Sequence, residues 1–283
     1  MSRAFDRLRR MTTRYIDRPL LALPLPIAAQ RTLFEISARL NARPAAASVV
    51  WEDVAGIRTR VSRPAEARGR LLWLHGGGFI IGSPQTHAAF ADRMAQETGL
   101  EVWLPDYRLA PENPFPAAPD DCTAVARAMP GPFHLAGDSA GGNLALVVLQ
   151  DMLAREKPPL SVTLISPAVD LREGRDAPEC DEMLMPAAFL TRCRAAYVAG
   201  ADARDPRLSP ILGRYPNAPP VHIELSSREV LERDGQAIAR RLREDGARVS
   251  TFVEHGVPHV YHLAVGRSAA AEAALLRLKK VLT

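Results

Sequence analysis

A chain of 283 residues with 47% hydrophobic and 24% charged side chains can bury a large core, and its composition is that of an ordinary soluble globular protein. The formal charge is only +4 and arginines interleave with Asp and Glu without long like-charge runs, which argues against nucleic-acid binding. Cys122, Cys180 and Cys193 are odd in number and lack C-x-x-C spacing, so a disulfide framework and a structural zinc site are both excluded as expectations, leaving thiols in a reducing compartment.

At the N-terminus, Arg7, Arg9 and Arg10 precede an apolar stretch from Pro19 to Ala29 that is short and broken by Pro19, Pro24 and Pro26. It makes a poor signal peptide and is too short to span a bilayer, so a soluble cytoplasmic protein without stable membrane insertion is expected. Residues 1–45 carry two apolar helical faces, Phe5, Leu8, Met11 and Tyr15 on one and Leu33, Phe34, Ile36 and Leu40 on the other. Both are expected to pack on the core as peripheral helices.

Strands are then predicted at 48–51, 57–61, 71–74, 101–104, 133–136, 160–165, 221–225 and 249–253. Several are continuous apolar runs, the pattern of strands buried on both faces of a parallel sheet. Helical patterns fall between them at 88–97, 117–129, 140–155, 233–245 and 268–281, the fourth followed by a Gly246 stop. The alternation predicts an α/β fold: a mostly parallel eight-stranded sheet flanked by helices, with its core in residues 46–170 and 211–283. Residues 171–210, inserted after the sixth strand, carry Met183, Leu184, Met185, Phe189, Leu190 and Tyr197. Together with residues 1–45 this insertion is expected to form a small helical cap over a site at the strand carboxyl ends.

Chemistry concentrates in a few segments. Gly137-Asp138-Ser139-Ala140-Gly141 lies where a strand runs into a helix, as a nucleophile elbow requires. Ser139 is therefore the candidate nucleophile, against the plainer reading of a helix-capping serine. In chains with this elbow the acid and then the histidine follow in sequence. His255, His259 and His262 are the candidates for the base, and His259, in the turn after Gly256-Val257-Pro258, is favoured by the geometry a base needs. For the acid, Glu229 occupies the loop after the seventh strand, Asp234 is the alternative, and Glu224 lies within the strand itself. Oxyanion donors are expected from the backbone N–H of Ala140 and from Gly77 and Gly78 in the segment His75-Gly76-Gly77-Gly78-Phe79. That glycine run lacks the patterns of a nucleotide-binding loop.

With HGGGF at 75–79, DYRLAPE at 106–112, GDSAGG at 137–142 and Val257-Pro258-His259 in this order, the chain resembles the hormone-sensitive-lipase-like esterases and lipases of the α/β-hydrolase superfamily. The resemblance covers residues 70–265. It implies an α/β-hydrolase fold and a carboxylic ester hydrolase that needs neither metal nor cofactor. It further implies that the 106–112 segment braces the oxyanion loop, with Arg108 and Glu112 as structural pairing partners, and that Asp205 to Pro210 returns the chain from cap to sheet. Many relatives carry aspartate in an Asp-Pro-Leu triplet; the matching triplet here is Glu229-Val230-Leu231, so the acid would be glutamate.

The expected activity is cleavage of short-chain acyl esters through an acyl-enzyme. Lactonase, amidase or formamidase chemistry on the same Ser-His-Glu set is the near alternative. A non-enzymatic small-molecule binder is a remote one, because the receptors that resemble this family lack the histidine base. Phe79, Phe189, Leu190 and Tyr261 are pocket candidates by nearness to the motifs. A homodimer is the assembly that the resemblance suggests.

Overall fold

The parallel, doubly buried strands that the apolar runs imply are present in a computed structural model, which describes residues 3–43, 45, 47–173 and 181–283. Strands β1 (Ser48–Val54), β2 (Ile57–Arg63), β3 (Gly69–Leu74), β4 (Leu100–Pro105), β5 (His134–Asp138), β6 (Val162–Ile165), β7 (Val221–Ser226) and β8 (Val249–Glu254) form one sheet in the order β1-β2-β4-β3-β5-β6-β7-β8. β1 and β2 pair antiparallel, β2 meets β4 antiparallel, and the strands from β3 to β8 run parallel.

The period of two along each strand sorts side chains into two cores. On β3, Leu72 and Leu74 join the larger core, while Leu71 and Trp73 point into the other. The larger core is closed by α5 (Ala117–Ala128), α6 (Ala140–Ala154) and α8 (Glu232–Glu244), through residues such as Val125, Leu144 and Ile238. The opposite face is covered by α4 (Ala88–Thr98) and α9 (Ala269–Leu282), through Phe90, Met94, Leu275 and Leu278. Gly99, in the left-handed conformation at φ 71°, stops α4 where a side chain would be strained.

N-terminal helices α1 (Arg3–Thr12), α2 (Arg18–Ala22) and α3 (Ile27–Asn41), and α7 (Ala187–Val198) in the insertion, complete the helical part. Phe5 and Phe34 pack against the cores as expected, and Leu21 and Ile27 join them. Leu8, Met11 and Tyr15 do not: they are 57%, 60% and 69% exposed, and Ile36 and Leu40 also face outward. The inward face of α1 is polar, with Arg9 bonded to Asp17 and Asp6 and Arg10 on the cavity wall, which turns Leu8 and Met11 outward. The turn Thr13–Asp17 that follows is π-helical and shifts the 3.6-residue phase between α1 and Tyr15. No helix among the described residues is long and apolar enough to cross a membrane. Cys122 and Cys193 are free thiols, whereas Cys180 lies outside the described residues.

One buried charge cluster joins β7 to the C-terminal segment. Glu224 is fully buried and accepts hydrogen bonds from Arg277 Nη2 at 3.0 Å and Nε at 3.2 Å, and lies 2.8 Å from His262 Nε2. Burial alone would raise its carboxyl, but hydrogen bonds from His222, His262 and Arg277 outweigh that and hold it far below the ordinary value of 4.5. A depressed folded-state pKa contributes stability that is present above about pH 4.5 and is lost as pH falls toward the folded value. Glu224→Gln is therefore expected to lower unfolding stability at neutral pH by about 3 kcal/mol in urea melts. The gap from the unsubstituted chain should narrow steadily as the pH is lowered through 4.5 and below; a gap independent of pH would refute the account.

Candidate active site

The turn between β5 and α6 forces Ser139 into φ 54°, ψ −117°, a conformation that costs an ordinary residue on the order of 1–3 kcal/mol. Its surroundings hold it there: the Ser139 N–H donates to the Ile165 carbonyl at 2.8 Å, and its own carbonyl accepts from Ala168 at 3.1 Å and Asn143 at 3.3 Å. A turn this tight is open only to small neighbours, since a Cβ at Gly141 would collide with the Leu74 carbonyl. The serine thus stands at the N-terminus of α6, the end of a helix that favours negative charge.

The loops that carry the candidate base and acid leave β8 and β7. His259 Nδ1 lies 2.6 Å from Glu229 Oε2, and both residues are buried. A carboxylate on Nδ1 fixes the tautomer: that nitrogen carries the proton and donates it, leaving Nε2 as the acceptor. Nε2 is buried with no hydrogen-bond partner, in the cavity that Ser139 also lines. Burial pushes the imidazole down, but the Glu229 charge and hydrogen bond outweigh it, so His259 titrates above its ordinary 6.5. The two loops are tied to each other by Ser226, whose hydroxyl donates to the Val257 carbonyl at 2.5 Å while its N–H donates to Glu229 Oε1 at 3.0 Å.

The other candidates are placed elsewhere. Asp234 sits in α8 and accepts from the Val169 N–H at 3.2 Å. His262 faces Glu224 from the 3-10 turn Tyr261–Ala264. Glu224 is engaged in its own cluster on β7, apart from the His259–Glu229 pair.

Gly77 and Gly78 have φ of 125° and 61°, values that keep the loop after β3 open to glycine and strained for other residues. Among the described residues, neither N–H donates to a backbone carbonyl. Ala140, as the first residue of α6, likewise has no intrahelical acceptor. His75 is fully buried and stacks on Tyr107 at 4.2 Å, while the Tyr107 hydroxyl donates to the His75 carbonyl at 2.6 Å. Burial brings the His75 imidazole down to about 3, which keeps it neutral and makes it a bracing group for the loop.

Sequence reasoning left three neighbours without a role. Asp138, immediately before the serine, accepts from the Trp73 indole at 2.9 Å and the Gly76 N–H at 3.1 Å, and lies 3.2 Å from His87 Nε2. Burial would raise its carboxyl; the His87 imidazole and these hydrogen bonds outweigh that and hold it below the ordinary value. Its place inside the elbow motif was the available signal. Glu182 accepts from Leu184 and Met185 with one oxygen and from the Val230 N–H at 2.8 Å with the other, joining the insertion to the Glu229 loop. Arg31 of α3 donates to the Ile80 and Ala110 carbonyls at 2.9 and 3.0 Å and pairs with Glu112 at 2.7 Å. This corrects the expected partners in the 106–112 segment: Glu112 pairs with Arg31, and Arg108 pairs with Asp121 at 2.6 Å. Both anchors are more than a turn distant in sequence, so local spacing carries no sign of them.

A cavity of about 640 Å³ spans the site. Its wall includes Gly77, Gly78, Phe79, Ser139, Ala140 and His259, and all four pocket candidates, Phe79, Phe189, Leu190 and Tyr261, lie on it. The rest comes from the N-terminal helices, through residues such as Leu21 and Phe34, and from the insertion. α7 reaches the glycine loop directly: a Cβ on Gly78 would meet Cys193 Sγ and the Phe189 ring. Tyr197 stacks on Phe79 with ring centroids 3.7 Å apart, and Arg192 donates to the Leu21 carbonyl at 2.6 Å, joining α7 to α2. Burial pushes the Cys193 thiol up to about 12, so it packs as a neutral group. No group of three or more metal-ligating side chains occurs among the described residues.

Residues 71–263 match the family model described as the alpha/beta hydrolase fold. Among curated proteins, an acetyl-hydrolase from Streptomyces hygroscopicus is 39% identical over 212 residues, covering 71% of this chain and 70% of the relative. An ethyl acetate hydrolase from Pseudomonas putida is 33% identical over 213 residues, covering 69% and 67%. The crystal structure of an esterase from the bacterial hormone-sensitive lipase family superposes with a TM-score of 0.90 at 26% identity, covering 100% of this chain and 98% of that one. By sequence and by fold, this chain belongs to the α/β-hydrolase family and is similar throughout its length to hormone-sensitive-lipase-type esterases.

Proposed function

We propose that this esterase cleaves short-chain acyl esters with Ser139 as nucleophile, His259 as general base and Glu229 as the acid that orients it. The observation that carries the reading is the buried 2.6 Å Glu229–His259 contact, which leaves Nε2 free in the cavity that holds the strained Ser139. Ser139 Oγ attacks the ester carbonyl as its proton passes to His259 Nε2, and Glu229 stabilises the imidazolium. The tetrahedral oxyanion accepts from the N–H groups of Gly77, Gly78 and Ala140. His259 then returns the proton to the leaving alkoxide, and an acyl-Ser139 ester remains. Water, losing its proton to the same nitrogen, attacks the acyl-enzyme; as the second tetrahedral intermediate collapses, His259 returns that proton to the departing Ser139 Oγ and the carboxylic acid is freed. In this reading residues 1–45 and 171–210 act as the cap, and the names of the two curated relatives favour a small acyl group.

Hydrolysis of p-nitrophenyl esters from acetate to palmitate is expected to peak at the short end, with p-nitrophenyl butyramide turned over far more slowly. A rise toward palmitate would overturn the acyl preference, and faster amide turnover would move the reading to an amidase. Ser139→Ala should cut kcat by about 10⁴-fold or more while circular dichroism is unchanged.

The pH profile tests the acid. His259 must be neutral to accept a proton, and its raised pKa places the rising limb of kcat/KM above pH 6.5. Glu229→Gln removes the charge that raises it and leaves burial, which lowers it. The limb should therefore shift to lower pH as kcat drops by roughly 10⁴. Asp234→Asn should leave the limb where it is; the reverse pattern would exchange the two carboxylates.

A further inference from the structure

We infer that the outer face of the N-terminal segment is a docking surface for the anionic headgroups of a lipid bilayer, which it meets lying flat. The first observation is apolar exposure. Seven of the twelve large apolar side chains exposed among the described residues lie between Leu8 and Leu40, and Leu8, Met11, Tyr15 and Ile16 on α1 and the following turn are each more than half exposed. Single exposed apolar residues need no explanation, but four within nine positions of one short segment do.

The second observation is charge. Residues 3–22 contain six arginines and two aspartates, a net charge of +4, which equals that of the entire chain. The remaining residues are balanced, so the excess positive charge is confined to this segment. Arg7 and Arg14 are exposed beside the apolar residues, Arg14 with Asp181 at 3.0 Å, and Arg18 is exposed where it also reaches the cavity rim. An exposed helical segment that combines apolar side chains with arginines has the chemistry of interfacial helices, whose binding grows with buried apolar area and with attraction to anionic lipid. Tyr15, the most exposed of the four, has the amphipathic ring suited to the headgroup layer.

The third observation is position. Asp6, Arg9, Arg10 and Asp17 on the other side of the same segment, with Arg18 at its end, line the active-site cavity. A bilayer on the outer face therefore lies against the wall of the cavity that receives the ester. A protein partner or a second copy of the chain would match the apolar residues but has no stated complement to a local +4 charge.

The test is sedimentation with vesicles of phosphatidylcholine alone and of equal parts phosphatidylcholine and phosphatidylglycerol. Ser139→Ala protein is used so that hydrolysis cannot alter the lipid, and docking is read without reference to catalysis. Binding should favour the anionic vesicles by about tenfold or more and weaken with added salt. Met11→Glu/Tyr15→Glu should lose about tenfold in vesicle affinity. The same pair placed in the active chain should leave turnover of soluble p-nitrophenyl butyrate unchanged, and Met11→Ser/Tyr15→Ser serves as a gentler replacement if the first fails to fold. No binding to either vesicle, or equal binding by the substituted chain, would overturn the inference. So would a dimer on size exclusion that the same substitutions disperse, which would assign the face to a second copy.

Discussion

The carboxylate of Asp138 is the contact on which the site depends most. It sits one residue before Ser139 and reaches back to the Gly76 N–H, the Trp73 indole and His87. One buried charge thus fixes the elbow relative to the glycine loop, and with them the distance between an attacking oxygen and the groups that would receive the oxyanion. Donors held by a rigid frame need no rearrangement as charge develops, which is where such sites gain most of their effect. An unpaired carboxylate at that depth would be costly, so the partners around Asp138 form a set in which each member is needed.

A similar division holds on the other side of the cavity. Glu229 and His259 come from separate loops, and Ser226 joins those loops through one hydroxyl and one N–H. Below them, Glu224 anchors the turn after His259 to β7 and to Arg277 on α9. Two carboxylates on one strand and its following loop therefore have opposite surroundings. Glu224 is saturated by fixed donors, whereas Glu229 faces an imidazole whose far nitrogen stays open to the cavity.

Much of the core and the central site was legible in the sequence because the physics there is local. The buried central strands leave continuous apolar runs and the edge strands β1 and β8 leave short β-branched ones, so all eight were legible, most of them a residue or two short at their ends. The elbow and the glycine loop require small residues at adjacent positions, and the loops carrying Glu229 and His259 follow strands that could be seen. What escaped notice depends on contacts across the fold. Arg31 is one arginine among many, and nothing near it in sequence marks it as the clamp on Ile80, Ala110 and Glu112. The outward turn of Leu8 and Met11 was hidden because the polar residues of α1 face a cavity rather than solvent, and that of Tyr15 because a π-helical turn changes the angle per residue, which a periodicity argument cannot reach.

The contact between α7 and the glycine loop has a consequence for redesign. Cys193 and Phe189 close over Gly78, and Tyr197 lies flat on Phe79, so α7 and the glycine loop share a packed boundary. Close-packed boundaries transmit small displacements rather than absorb them. Selectivity and speed are therefore not separable dials in this enzyme: a graft that reshapes α7 also resets the loop beneath it, and libraries aimed at substrate scope are best built on the cavity wall around Phe34, since Leu21 is itself bonded to α7 through Arg192.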